Sequence, residues 1–159
     1  IVYLGLHTDQ QQHAYVLREG ETAVPAGLQR GLAAANRLQE LLLAEFTTGR
    51  SGNAMLSSAL RAAEGEGIQA TIYSHPIGLH GHGAGPTIGL WDQQSGVAGA
   101  GDYPLWPNTA YSIELSATVN VEEWGGQEVR IMLEEDAFFD GQETRYIDGR
   151  QTDLWLIPR

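Results

Sequence analysis

Cysteine is absent from the 159 residues, which excludes disulfides, zinc–thiolate sites and cysteine nucleophiles together. Long apolar runs are missing too. No stretch reaches the roughly 18 residues that a membrane-spanning helix needs, and the leucine-rich run at Leu41–Leu43 is broken by charge. Residues 1–6 carry no basic segment and no cleavage site, so they are read as a strand and not as a signal peptide. Basic residues are scarce: 9 Lys and Arg stand against 20 Asp and Glu, a formal net charge of −11. A surface of that sign cannot neutralise phosphate, which argues against non-specific nucleic-acid binding. Acidity alone signifies a well-solvated surface or, where acids cluster, a place for cations.

What is present fits one compact domain. Hydrophobic residues make up 42% of the chain and charged residues 18%, ordinary for a globular protein of a size that can bury a core. Residues 1–6 and 14–17 read as short strands around a polar turn holding His7, Asp9 and His13. Pro25 suits a helix first turn. Leu28, Leu32, Ala35, Leu38, Leu42 and Phe46 recur at spacings of three and four, which makes one apolar stripe. A second helix is expected from about residue 53 to 63, with Met55, Leu56, Ala59 and Leu60 inward and Gly65 and Gly67 closing it. Beyond Ile68 the pattern turns to strands: 71–73, 111–119, 128–139 and a last one at 154–157. A loop from Gly83 to about Tyr103 separates the first of these from the second, and loops of that length are usually functional or mobile. No repeat or linker interrupts the chain, so residues 1–159 read as a single α+β unit. It starts abruptly inside a strand, as a fragment of a longer protein would.

Five residues stand out for chemistry: Asp9, His75, His82, Glu114 and Glu134. His75, His80 and His82 crowd three imidazoles into eight positions, although His-Gly-His alone is a weak motif. Within Tyr111-Ser112-Ile113-Glu114-Leu115, alternation sets Ile113 and Leu115 on one face and Glu114 on the other. A carboxylate in mid-strand is costly to bury without compensation, unless its face is wet. Arg130, Met132 and Glu134 share a face in the same way, with Ile131 and Leu133 opposite. Arg130 then either steadies a ligating carboxylate or forms a surface ion pair worth little.

The order of these residues resembles a known family. His75-Pro76-Ile77-Gly78-Leu79-x-x-His82, with Pro86 behind it, is similar to the His-Gly-Ile-Gly-Leu-x-x-His-Glu-x-Pro signature of the pita-bread metallopeptidases, the group of aminopeptidase P, prolidase and methionine aminopeptidase. Tyr111-Ser112-Ile113-Glu114 resembles that family's Thr-Ile-Glu-Pro strand, and Val129-Arg130-Ile131-Met132-Leu133-Glu134-Glu135-Asp136 its Val-Arg-Ile-Glu-Asp segment. Asp9, after Tyr3-x-Gly5, is similar to the second of two hairpin aspartates; the first would precede Ile1. Departures exist: Pro76 stands for glycine, Gly83 for glutamate, and Gln10-Gln11-Gln12-His13 where Thr-Arg-Thr is usual. The segment before Glu134 is two residues longer, which makes Glu135 a fallback ligand.

The resemblance implies a pita-bread (creatinase/aminopeptidase-like) fold of α+β class: a curved antiparallel sheet with helices on its outer face and an N-terminal part missing. It implies two divalent ions (Mn, Co, Fe or Zn), with His75 and Glu114 on one and Asp9 and Glu134 bridging to the second. Glu114 and His82 would be catalytic, His82 by hydrogen-bonding the substrate carbonyl. His80, His82, Trp91 and Arg130 would line the substrate site, helped by Asp92, Tyr103 and Trp106 of the long loop. The implied activity is metal-dependent hydrolysis near the N-terminus of peptides, of Xaa-Pro type. The expected partner is a peptide, with no nucleic acid, no membrane and a homodimer covering exposed edges, in the cytoplasm. Other classes stay open: a non-catalytic domain of this fold that binds a peptide or protein, or a non-peptide hydrolase or lyase.

Overall fold

The computed structural model describes residues 2–159, so the part of the first expected strand that falls on Ile1 lies outside the described residues. That strand is in fact a short hairpin, β1 (Val2–Tyr3) and β2 (Leu6–His7). Leu4 and Gly5 between them both take positive φ, 51° and 81°, the conformation that closes a two-residue hairpin turn. β3 (Ala14–Val16) follows as predicted, one residue shorter.

Two helices come next, α1 (Ala26–Leu43) and α2 (Gly52–Gly65). Pro25 stands as the cap of α1, one position before its first turn. Glu123 accepts the Gly27 N–H at 3.1 Å, which places a carboxylate where the unpaired donors and the helix dipole favour one. Phe46 joins the core from beyond the end of α1. α2 starts at Gly52 because the Ser51 hydroxyl accepts from the Ala54 N–H at 3.2 Å, a favourable N-cap.

The remaining strands are β4 (Gln69–Ile72), β5 (His75–Gly78), β6 (Gly81–His82), β7 (Thr109–Val121), β8 (Gln127–Phe139), β9 (Thr144–Tyr146) and β10 (Trp155–Ile157). Six of them make one antiparallel sheet, ordered β6-β5-β7-β8-β9, with β4 also on β7. β4 and β5 lie end to end along one edge of β7 in a single register: Ile72 faces Leu115 and His75 faces Ser112. β8 covers the other edge over its full length, with Glu114 opposite Glu134. β9 was not foreseen from the sequence. β10 pairs with β3 in parallel, apart from the main sheet.

Alternation along β7 and β8 divides the sheet into two faces. Ile113, Leu115, Ala117, Ile131 and Leu133 turn toward the helices, where they meet Leu28, Leu32, Leu38, Leu42, Met55 and Leu56. Full burial of each larger aliphatic side chain stabilises the fold by about 1.5–3 kcal/mol. α1 approaches closely at Gly31, where a Cβ would lie 2.8 Å from Val119 and Ile131 side-chain atoms. Ser112, Glu114, Ser116, Met132, Glu134 and Asp136 occupy the opposite face. No helix among the described residues is long and apolar enough to cross a membrane.

Candidate metal centre

The polar face of the sheet is built in rungs. Glu114 of β7 and Glu134 of β8 are direct partners in one; His75 of β5, Ser112 of β7 and Asp136 of β8 line up in the next. Gln11 pairs with Glu134 on the far side of β8, its N–H donating at 2.9 Å. The segment carrying Asp9 therefore runs beside β8 and delivers Asp9 next to Asp136, whose carboxyl accepts the Asp9 backbone N–H. Gln151 holds this segment in place. Its side-chain carbonyl accepts the His13 N–H at 2.7 Å and its amide donates to the His13 carbonyl at 2.6 Å.

His75 is buried, and its Nδ1 lies 3.2 Å from the Pro76 carbonyl oxygen. That contact keeps the proton on Nδ1 and leaves the Nε2 lone pair available, the arrangement of a metal-ligating imidazole. Nε2 is 3.8 Å from both Asp9 Oδ2 and Glu114 Oε2, too far for hydrogen bonds and suited to donors that share a cation. Two sets of three donors have ligand atoms within 4.8 Å of one another: Asp9, His75 and His82, and His75, Glu114 and Glu134. The His82 ring stacks on that of His75, with centroids 3.9 Å apart and planes 9° from parallel.

The electrostatics of this cluster are those of a site lacking positive charge. Burial, reinforced by Glu134 and Asp9, pushes the Glu114 carboxyl up to about 8. Burial likewise raises Glu134 to about 7, against the Ser112 hydroxyl, which donates to its Oε1 at 2.7 Å. Asp136 is pushed up to about 6, again chiefly by burial. Burial holds His75 below its ordinary value, so its ring stays neutral and able to ligate. Asp136 Oδ1 is buried without a hydrogen-bond partner. A divalent cation would relieve all of this at once. Carboxylates with one or two imidazoles suit borderline and hard first-row ions, so the residues present fit such a metal.

The structure thus brings Asp9, His75, His82, Glu114 and Glu134 together. Glu135, the fallback ligand, points to the helix face and accepts the Gln151 N–H at 3.0 Å; it belongs to neither donor set. His80 is exposed in the turn between β5 and β6, its ring 6.1 Å from that of His7, and it too lies outside both sets. Arg130 donates to the Ser116 hydroxyl at 2.8 Å and stacks over Trp91 at 4.5 Å, so it does not steady a ligating carboxylate. Trp91 in turn meets the edge of Tyr73. Asp92 is exposed. Tyr103 and Trp106 instead line a cleft of about 540 Å³ with Gly83, Gly85 and Thr87. That cleft contains none of the donors and is linked to them through Gly83, the residue after His82. Asp136 was missed in the sequence. The signal was the same alternation that selected Glu134, carried one step further along β8.

No protein-family profile matches the chain, and no curated protein sequence does. Solved structures do match. The X-Pro aminopeptidase of Thermotoga maritima MSB8 superposes with a TM-score of 0.68 at 19% identity, over 98% of this chain and 39% of that one. The Xaa-Pro dipeptidase of Bacillus anthracis gives 0.66 at 17%, again over 98% and 39%. The N-terminal domain of the FACT complex subunit SPT16 from Cicer arietinum gives 0.58 at 12%, over 76% and 28%. The chain therefore has the pita-bread fold and spans about two-fifths of the length of the peptidase structures it matches.

Proposed function

We propose that this chain is the metal-binding part of a metal-dependent peptidase that cleaves near the N-terminus of short peptides, with Xaa-Pro peptides as the preferred class. The observation that carries the reading is the convergence of Asp9, His75, His82, Glu114 and Glu134 on one sheet face, around the free Nε2 of His75. Asp9, His75, Glu114 and Glu134 would hold a divalent ion, which would supply a more acidic water and polarisation of the scissile carbonyl. The chain's own residues do the rest. Glu114, largely buried in mid-strand 3.8 Å from His75 Nε2, would hold the ion as a carboxylate donor. Ser112 fixes the orientation of Glu134. Arg130, its guanidinium carbon 4.5 Å from the centre of the Trp91 ring, stands on the same face as the donors, where a peptide carboxylate would meet it. The cleft beside Gly83 offers the Tyr103 and Trp106 rings to an apolar or proline side chain.

The test is elemental analysis of protein purified without chelator, followed by hydrolysis of an Xaa-Pro peptide panel with Mn²⁺, Co²⁺ or Zn²⁺. Bound metal and cleavage, both lost in Glu114→Ala, are expected. Metal bound without cleavage of any peptide would exclude the peptidase reading. A second reading, a partner-binding domain of the same fold, draws on the likeness to a domain named as part of the FACT complex. It predicts a chain that neither retains metal nor cleaves peptides.

A further inference from the structure

We propose that the open edge of β10 is a self-association surface, on which a second copy of this chain pairs its own β10 in antiparallel register about Leu156. This association needs neither the metal centre nor any catalytic activity. β10 has a strand partner, β3, on one side only. The Trp155 N–H donates to the His13 carbonyl at 3.2 Å, and the Leu17 N–H to the Ile157 carbonyl at 3.0 Å. In a parallel ladder that pattern turns the backbone groups of Trp155 and Ile157 toward β3, and those of Leu156 outward. Among the described residues, no strand pairs with that outer edge. Trp155, Leu156 and Ile157 are nevertheless all exposed, at 62%, 46% and 47%. An apolar edge left open in this way is a template for another strand.

The flanking residues identify the occupant. A two-fold axis through Leu156 sets Leu156 against Leu156, where the outward N–H and C=O groups of the two copies exchange hydrogen bonds. The same operation sets Trp155 against Ile157 and Asp153 against Arg159. Each end of the pairing then joins opposite charges around an apolar middle, a favourable set of cross-strand neighbours. Neither Asp153 nor Arg159 has an ion-pair partner among the described residues. Pro158, which has no N–H to donate, falls opposite Leu154 and needs only its carbonyl there. A slip of two residues either way loses the ion pairs, setting Asp153 against Ile157 or Arg159 against Trp155. Within each copy, Val16 lies beside Ile157 and Ala14 beside Trp155, so one apolar stripe runs across all four strands. The contact is small and the net charge of −11 per chain opposes it, so the dimer is a weak, concentration-dependent one.

Sedimentation velocity of the metal-free full chain, over a wide concentration series at physiological salt, tests this. The wild type is expected to pass from monomer to dimer as concentration rises. Asp153→Arg and Arg159→Asp each place like charges at both ends of the pairing, so each alone should dimerise about tenfold more weakly or worse. Mixed in equal amounts, the two variants restore both ion pairs, and a heterodimer of about wild-type affinity should form. A substitution that merely disturbs its own chain gives no such rescue. A wild type that stays monomeric throughout would leave the edge to a strand of another protein and overturn the proposal. A dimer indifferent to both substitutions, or a mixture that fails to recover, would overturn it equally.

Discussion

Glu114 sits in mid-strand with its side chain only 15% exposed, and its ionisation decides how the metal-free protein responds to pH. Its carboxyl is near 8 in the folded chain against an ordinary 4.5. The folded state thus binds this proton more tightly than the unfolded chain does. The resulting stabilisation is complete below the ordinary value and is lost as pH rises through about 8. Glu114→Gln cannot ionise and escapes that loss. In metal-free protein it should gain on the order of 3–4 kcal/mol at pH 8, or about 6–16 °C in Tm, and less than about 1 kcal/mol at pH 5. Thermal melts at the two pH values check this; equal differences at both would show that the burden lies elsewhere. Gln151 gives the complementary case, a residue remote from the ion that positions a ligand. Gln151→Ala should weaken metal binding about tenfold through Asp9, while His75, Glu114 and Glu134 keep their places. Zn²⁺ titration measures it, and an unchanged affinity would mean that Gln11 alone fixes Asp9. At this scale the sequence was half legible. Alternation identified Glu114 and Glu134, and the same rule, applied to the end of β8, turns Glu135 away and Asp136 inward. Gln151 carried no signal, because its partner His13 is 138 positions away.

The two helices and the two long strands were readable because each repeats its pattern over ten or more residues. The stripe of Leu28, Leu32, Ala35, Leu38 and Leu42 admits one buried face, and every member of it is buried. Short elements have no such redundancy. The turn at Leu4-Gly5 puts a leucine at positive φ, which no composition rule foresees. β9 has three residues and no room to alternate. Close approach was equally hidden: Gly31 looks like a weak spot in α1 until Val119 and Ile131 are seen against it. Gly31→Val improves helix propensity by a few tenths of a kcal/mol but forces α1 away from β7 and β8. The clash wins. A net loss of about 1–3 kcal/mol is expected, read by urea unfolding. A neutral or stabilised variant would mean that α1 can shift outward freely.

For the molecule as a whole, the fold was legible because three motif segments fall in the right order on strands, and register then brings their acids together. The net charge of −11 and the buried carboxyls raised to about 8, 7 and 6 have the same consequence. Without a cation the face can be neutral only by keeping protons. A divalent ion competes with those protons, so binding must strengthen as pH rises. At free Zn²⁺ or Co²⁺ about 100 times the dissociation constant, the folded state should gain about 2.7 kcal/mol, or about 5–10 °C in Tm. At one fixed ion concentration the gain should be larger at pH 8 than at pH 6, because at pH 6 Glu114 and Glu134 still hold their protons. The same ion raises stability most where the metal-free protein is weakest, so the bound form should show a flatter Tm–pH profile than the metal-free one. Melts with and without ion across that range decide the matter. Parallel profiles would mean that the ion binds away from Glu114 and Glu134, and that the raised carboxyls belong to a face that stays protonated.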